Sequence, residues 1–385
     1  MEFLLEKPQL RLLLDGFSAV ADDRAAWRVA HPLPEVLFLV VCASIASCDD
    51  FDDIAEWGEA HVDFLRRFLP YHHGVPGARW LNILMNRIDP GLFQACFMAW
   101  AQALRPDAPD LVAIDGKTSR RSHDRKAGQA ALHMVSAFAT SQRLVLGQEA
   151  VAAKSNEIEA IPALVERLAE GGSLAGALIT IDAIACNPAI AAKITGSGAD
   201  YLLAVKANQA SLHGEIAGFF ADTVSGPDDL SVDFDKGHGR IEERRLRVCH
   251  DTGWLEGSRR FPGERRFPKL AAIACIETKT ELHDRCRHDR RYFISSRPMS
   301  AHAFAHAVRA HWAIENSLHW VLDVVFKDDL CRVRKGHGAK NMAVVRHFAI
   351  NIVGNTNDKR SLKLRRKRAG WDPDYLASLL IPSHR

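Results

Sequence analysis

A single carboxylate, Glu315, sits on the apolar side of a helical stretch at 309–326 (RAHWAIENSLHWVLDVVF). Ile314, Leu318, Val321 and Val325 recur at helical spacing beside it and form an apolar stripe. A carboxylate drawn into an apolar interior is costly unless its charge is answered. Any fold built on this helix must therefore bring Glu315 a partner. Arg309 or a nearby histidine on the same helix would serve. So would a cation shared with acids elsewhere. Two earlier acids stand out: Asp115 ends the apolar run 111–114, and Asp182 ends the run 177–181. Both runs read as short buried strands. An Asp before Gly, as in Asp115-Gly116, is also a common turn residue, so neither acid is decisive alone.

The hydrophobic period changes along the chain. The first hundred residues have helical spacing: a buried helix at 36–45, then helices at 54–68, 81–88 and 92–104. The Pro-rich segment 105–110 is the best boundary. It gives an N-terminal helical domain over 1–105 and a second domain over 106–385. Beyond it, strands are expected at 111–114, 132–139 and 144–153, the last two joined by a turn at 140–143. Helices at 161–169, 188–194 and 212–220 then alternate with strands at 177–181 and 201–205. Three strands followed by this alternation predict an α/β fold, a mixed sheet flanked by helices on both faces. Residues 226–298 break the pattern. Strand-like pieces at 242–248, 270–277 and 291–295 mark a β-rich insertion. The acid-bearing helix is expected over 301–324, another over 339–352, and 355–385 reads as a basic C-terminal tail.

Composition narrows the partners. With 385 residues, 47% hydrophobic and 25% charged, the chain is ordinary globular material. Residues 331–385 hold 13 Lys/Arg against 3 Asp/Glu, more than the whole chain's net charge of +3. The segment 359–368 (KRSLKLRRKR) is basic at 7 of its 10 positions, including Arg365, Arg366, Lys367 and Arg368. That density suits a polyanion such as nucleic acid, the plainer alternative being a solvated helix face. The 8 cysteines are scattered without a C-x-x-C pair, as expected for reduced thiols in the cytoplasm. The apolar opening segment carries acids and lacks the basic start of a secretory signal. The longest strongly apolar run, 36–48, is too short to span a bilayer, so no membrane partner is expected.

Three acids converging from two strand ends and a helix have a chemical use. Mg²⁺ prefers oxygen ligands and keeps several waters, so few carboxylates are needed per ion. Two such ions sharing a carboxylate can flank one phosphate, activating the attacking oxygen and stabilising the leaving one. Other readings compete. His311, Glu315 and His319 recur every four residues, which admits zinc. The usual two-histidine zinc motif, however, spaces its histidines four apart with Glu beside the first. Trp312 and Trp320 suit either base stacking or core packing. Arg240, in HGR at 238–240, suits a phosphate grip or a plain hairpin turn.

Motifs along nearly the whole chain carry a resemblance. They are AIDGKT at 113–118 with SRRS at 119–122, LHMVSAF at 132–138, KSNE at 154–157, IDA at 181–183 and DYLLAVK at 200–206. HGRIE at 238–242, the stretch 311–326, RVRKG at 332–336 and AGWDPDY at 369–375 complete the set. Together they resemble the DDE-type insertion-sequence transposases, in the branch that contains the H-repeat-associated proteins. The resemblance implies an RNase H-like core whose catalytic and metal-binding triad is Asp115, Asp182 and Glu315. It implies two Mg²⁺ ions per site, with Mn²⁺ as a substitute. The implied activity is cutting element ends and transferring the 3′-hydroxyl strand to target DNA. The partners would be double-stranded DNA (terminal inverted repeats and target) and further copies of the chain, at the bacterial nucleoid. Lys117, Arg120, Arg121 and Lys206 would lie near DNA. Related enzymes carry Tyr, Arg and Lys at set offsets from the Glu, where this chain has Val308, His311 and Leu322. His311, Asn316, His319 and the loop residues Arg332, Arg334 and Lys335 would then take over DNA contacts. An inactive DNA-binding relic, or a stand-alone nuclease of the same fold, is the alternative.

Overall fold

The computed structural model describes residues 8–105, 109–124, 126, 128–152, 156–172, 174–222, 229–237, 240–256, 266–356 and 358–381. One nine-stranded mixed sheet organises the chain, in the order β3-β2-β1-β4-β5-β9-β8-β7-β6. The strands are β1 (Leu111–Ser119), β2 (Leu132–Ala139), β3 (Leu144–Ala150), β4 (Leu178–Ile181), β5 (Asp200–Val205), β6 (Asp229–Gly237), β7 (Arg240–Cys249), β8 (Ala272–Glu281) and β9 (Cys286–Ser295). The central strands β1, β4 and β5 are parallel neighbours, and every other pair is antiparallel. Both faces of the centre are covered, which is why these short strands read as unbroken apolar runs. Val112 and Ile114 pack toward Ile161 and Leu164 of the helix Glu157–Glu170. Ala113, facing the other way, joins Phe138, Val145 and the helix Gly338–Gly354.

The N-terminal helices (Pro8–Ala19, Leu33–Ile45, Phe51–Ala60, Val62–Leu65, Ala78–Arg87, Pro90–Ala103) share that second core. Phe348 of the helix Gly338–Gly354 is its hub, with ring centroids 5.4 Å from Phe17, 5.8 Å from Phe93 and 4.9 Å from Phe97. Such pairs add about 0.5–1.5 kcal/mol each beyond the area they bury. Asn341 on the same helix is fully buried and donates to the carbonyls of Met85 (2.8 Å) and Ile88 (3.0 Å).

Several expectations change. The helix Pro8–Ala19 was not anticipated, and the helix expected at 54–68 breaks at His61, whose ring stacks on Trp57. The β-rich region does not stand apart. Its last strand, β9, pairs with β5 (Leu203↔Ile294), so β6–β9 prolong the central sheet. His238 and Gly239, like Lys154 and Ser155, lie outside the described residues.

The C-terminal region is not a tail. It forms the helices Leu362–Trp371 and Pro373–Leu380 packed on the N-terminal core. Gly370 allows the close approach, since a Cβ there would lie 2.7 Å from the Ala46 carbonyl oxygen. Arg366 is 2% exposed. It donates to the carbonyls of Ser44 (2.8 Å) and Val325, pairs with Asp49 (3.1 Å), and lies 3.9 Å over the Phe326 ring. Arg366 is thus an internal tie, which corrects its expected role as a DNA contact. Arg366→Ala, which removes the buried donor from two carbonyls and leaves Asp49 to Lys327 (2.9 Å), should lower unfolding free energy by about 3 kcal/mol. The exposed neighbour change Lys367→Ala should cost less than about 0.5 kcal/mol. Urea titration of both variants checks the contrast.

Candidate active site

Parallel register brings the two acids level. Ile114 pairs with Ile181, so Asp115, within β1, and Asp182, the residue after β4, follow at the same level, where backbones of adjacent strands run about 4.8 Å apart. The strand expected at 111–114 runs on to Ser119, so Asp115 does not end it. Asp115, Lys117 and Ser119 alternate along one face of β1, toward the segment that carries Glu315. Asp182 turns into a 3₁₀ turn, Ala183–Ala185. Its Oδ1 accepts from the Ala183 N–H at 2.7 Å and lies 3.3 Å from Lys206 Nζ.

The Glu315 segment is not one continuous α-helix. An α-helix runs over Ala301–His311, a π-helical turn over Glu315–His319, and α-helix resumes over Trp320–Val324. The Trp320 N–H donates to the Glu315 carbonyl, five residues back. Such wide turns are rare and gather at functional positions. This one keeps Ile314, Leu318, Val321 and Leu322 in the core while Glu315, Trp312 and Trp320 stay exposed. Both tryptophans are more than half exposed, so neither is a core residue.

Asp115, Glu315 and His319 each offer a ligand atom within 4.8 Å of the other two. His319 Nδ1 is 3.4 Å from Glu315 Oε2 and 3.6 Å from Asp115 Oδ2. Arg309, the other expected partner of Glu315, pairs with Asp233 on β6 instead. Burial first, then the hydrogen bond and charge of Glu315, push the Asp115 carboxyl up to about 8. Burial holds His319 and His311 below the ordinary imidazole value, against the pull of Glu315 on both rings and of Asp182 on His311. His311 is anchored to Thr180 Oγ1 at 2.9 Å.

Behind these acids lies a second charged group that sequence reasoning missed. Lys117 is pinned by Asp323 (2.6 Å), Asp328 (3.3 Å) and Asp329 (3.6 Å). Asp328, 3% exposed, also binds Arg346 at 2.8 Å and accepts from Ser119. The Lys117 ammonium fills this acidic cluster and is only 10% exposed, so it faces the interior rather than a ligand. The doublet Asp328-Asp329 was the available signal. Glu157 and His133 were also missed as site residues, although both stood inside quoted motifs. They pair at 2.7 Å over Gly116, where a Cβ would lie 2.6 Å from His133 Nε2. Only glycine fits there. His133 Nδ1 also meets Thr118 Oγ1 at 2.7 Å.

The remaining candidates separate. Arg334 Nε donates to the Arg121 carbonyl at 3.0 Å, which brings Arg332, Arg334 and Lys335 beside Arg120 and Arg121. Arg120, Arg121, Arg332 and Lys335 are exposed, and Arg120 also pairs with Asp329. Asn316 is exposed beside Glu315. Arg240 lies apart on β7, paired with Glu242 at 3.0 Å, in a cleft of about 990 Å³ between β6–β9 and the helix Ala301–His311. Arg365 binds Asp358 (2.8 Å) and the Val353 carbonyl, and Arg368 binds Asp372 (3.3 Å). Of the basic residues at 359–368, Lys359, Arg360, Lys363 and Lys367 are exposed.

The raised Asp115 value has a stability consequence. The folded chain keeps a proton that the unfolded chain sheds above 3.8, so stability falls as pH rises from there toward about 8. Asparagine carries no such proton. At pH 7 without metal, Asp115→Asn should be more stable than the parent by on the order of 1–3 kcal/mol, the gap closing near pH 4. Urea unfolding at the two pH values in chelator measures it.

Comparison with known proteins agrees with this architecture. The family model described as Transposase DDE domain matches residues 106–352, and DDE_Tnp_1-associated matches 14–101. The H repeat-associated putative transposase YhhI of Escherichia coli K12 is 37% identical over 383 residues, covering 97% of this chain and 99% of that protein. The putative transposase YncI of E. coli O157:H7 is 37% identical, covering 96% and 95%. The H repeat-associated putative transposase YbfD of E. coli K12 is 37% identical over 63% of this chain and 95% of its own length. Among the described residues no helix is long and apolar enough to cross a membrane. With one model matching well over half its length and relatives aligned almost end to end, this chain belongs to the DDE transposase family, in the H repeat-associated branch.

Proposed function

We propose that this protein is a DNA transposase that cuts the ends of an insertion element and transfers the freed 3′-hydroxyl strand to target DNA. Its catalytic region would be an RNase H-like fold over 106–385, with 1–105 as an accompanying helical domain. Asp115, Asp182 and Glu315 would hold two Mg²⁺ ions, or Mn²⁺ in their place. The observation that carries this reading is the in-register placement of Asp115 and Asp182 on adjacent strands with Glu315 facing Asp115 across them.

The residues suit a divalent cation. Asp115 and Glu315 stand together without a full positive charge between them, and their mutual repulsion helps hold a proton on Asp115. When bound there, such cations polarise the attacking oxygen and stabilise the leaving one. The chain's own part is positioning. The strands fix both aspartates, the helical segment brings Glu315 from the opposite side, and the Lys117 group braces that segment against β1. Lys206, exposed beside Asp182, is placed to meet a phosphate, as are Arg120, Arg121, Arg332 and Lys335. Pairing two DNA ends calls for at least two copies of the chain.

One observation favours the inactive-relic reading. Val308 and Leu322, at two of the offsets where related enzymes carry DNA-contacting residues, are buried. A nicking assay separates the readings, using DNA with the terminal repeats that flank the gene, in Mg²⁺. The parent should nick, and alanine at Asp115, Asp182 or Glu315 should lower the rate about a thousandfold or more. DNA binding should survive each change. Cleavage retained by Asp182→Ala would defeat the triad assignment, and binding without nicking by the parent would establish the relic.

A further inference from the structure

The imidazole of His319 faces the gap between the two clustered carboxylates. It is 5% exposed, with Nδ1 directed at Glu315 (3.4 Å) and Asp115 (3.6 Å). Asp182, by contrast, is engaged by Lys206 and the Ala183 N–H. The three side chains that converge are thus two carboxylates and one imidazole.

The plainer role fits poorly: a DNA contact would be exposed, and this ring is buried. An imidazole nitrogen aimed between two carboxylates is a nitrogen–oxygen ligand set. Glu315 and His319, four residues apart, stand on one side of the π-helical turn, as they would on an α-helix.

We propose that His319 is a nitrogen ligand, through Nδ1, to the cation held by Asp115 and Glu315, and that this position favours Mn²⁺ over Mg²⁺. An imidazole suits transition-metal ions, whereas Mg²⁺ takes oxygen. Coordination replaces any proton on Nδ1, which leaves to solvent, and the neutral ring carries its proton on Nε2. A ligating histidine normally gives that second N–H an acceptor. His319 Nε2 has no hydrogen-bond partner among the described residues, and neither has Nδ1 of the buried His347. The His347 ring lies near His319, and in the tautomer with its proton on Nε2 its Nδ1 can accept that N–H. The proposal rests on the transposase reading of the same site.

The test is electron spin echo modulation of Mn²⁺ bound to the full-length protein. The parent should show coupling to one directly bound nitrogen, and ¹⁵N-histidine labelling should convert that signal without any substitution. His319→Gln should abolish the coupling and weaken Mn²⁺ binding tenfold or more, while His311→Gln keeps the coupling. Mn²⁺ bound with no nitrogen coupling, or coupling that survives His319→Gln, overturns the ligand assignment and leaves the transposase reading intact. A parent that binds neither Mn²⁺ nor Mg²⁺ and does not nick overturns both.

Discussion

The fold must hold mutually repelling carboxylates together in a partly dry place. Asp115 and Glu315 are far apart in sequence, and nothing local keeps them near one another. The restraint comes from a neighbouring group of opposite charges. Lys117 follows Asp115 by two residues on the same face of β1, and Asp323 follows Glu315 by eight residues on the next stretch of helix. Their 2.6 Å contact ties strand to helix just behind the acids. Asp328 carries the tie onward to Arg346, on the helix whose Phe348 organises the N-terminal core. Buried ion pairs contribute little net stability, because desolvation offsets their attraction. Their value here is geometric, since the group is satisfied only when strand, helical segment and core helix are in place together.

Much of this was legible in the sequence. The central strands announced themselves because burial on both faces leaves unbroken apolar runs, and the acids that end them were conspicuous for the same reason. Register, however, is not written in a run. That Asp115 and Asp182 come level follows from Ile114 pairing with Ile181, which depends on how the intervening helix returns the chain. The strand β6 was overlooked although Leu230, Val232 and Phe234 alternate cleanly. On this edge strand the three apolar side chains are the exposed ones, the reverse of the usual alternation, while Asp233 on the other face pairs with Arg244 and Arg309.

The π-helical turn was the least legible feature. Residues 301–324 carry helical periodicity throughout, and no proline or glycine marks an interruption. Ile314 and Leu318 reach the core shared with the N-terminal helices, while Glu315 and His319 reach Asp115. Both pairs are four residues apart, a spacing that an unbroken α-helix would also keep on one face, so nothing in the pattern calls for the wider turn.

The basic C-terminal region shows how composition can mislead. Seven basic residues in ten suggested a tail that meets a polyanion, but charge density does not say which groups are free. Arg365, Arg366 and Arg368 each find a carboxylate, and Arg366 adds two backbone carbonyls. An arginine fork can satisfy several buried acceptors at once, which a lysine cannot do in the same geometry. Besides Lys206 at Asp182, exposed positive charge gathers from two separate stretches, the residues after β1 and the loop at 332–335. They meet through one bond from Arg334 to the Arg121 carbonyl. This basic patch is therefore assembled by the same long-range closure that assembles the acids. Asp115 lies within β1 and Arg120 just beyond it, so neither group can form before that strand has its neighbours.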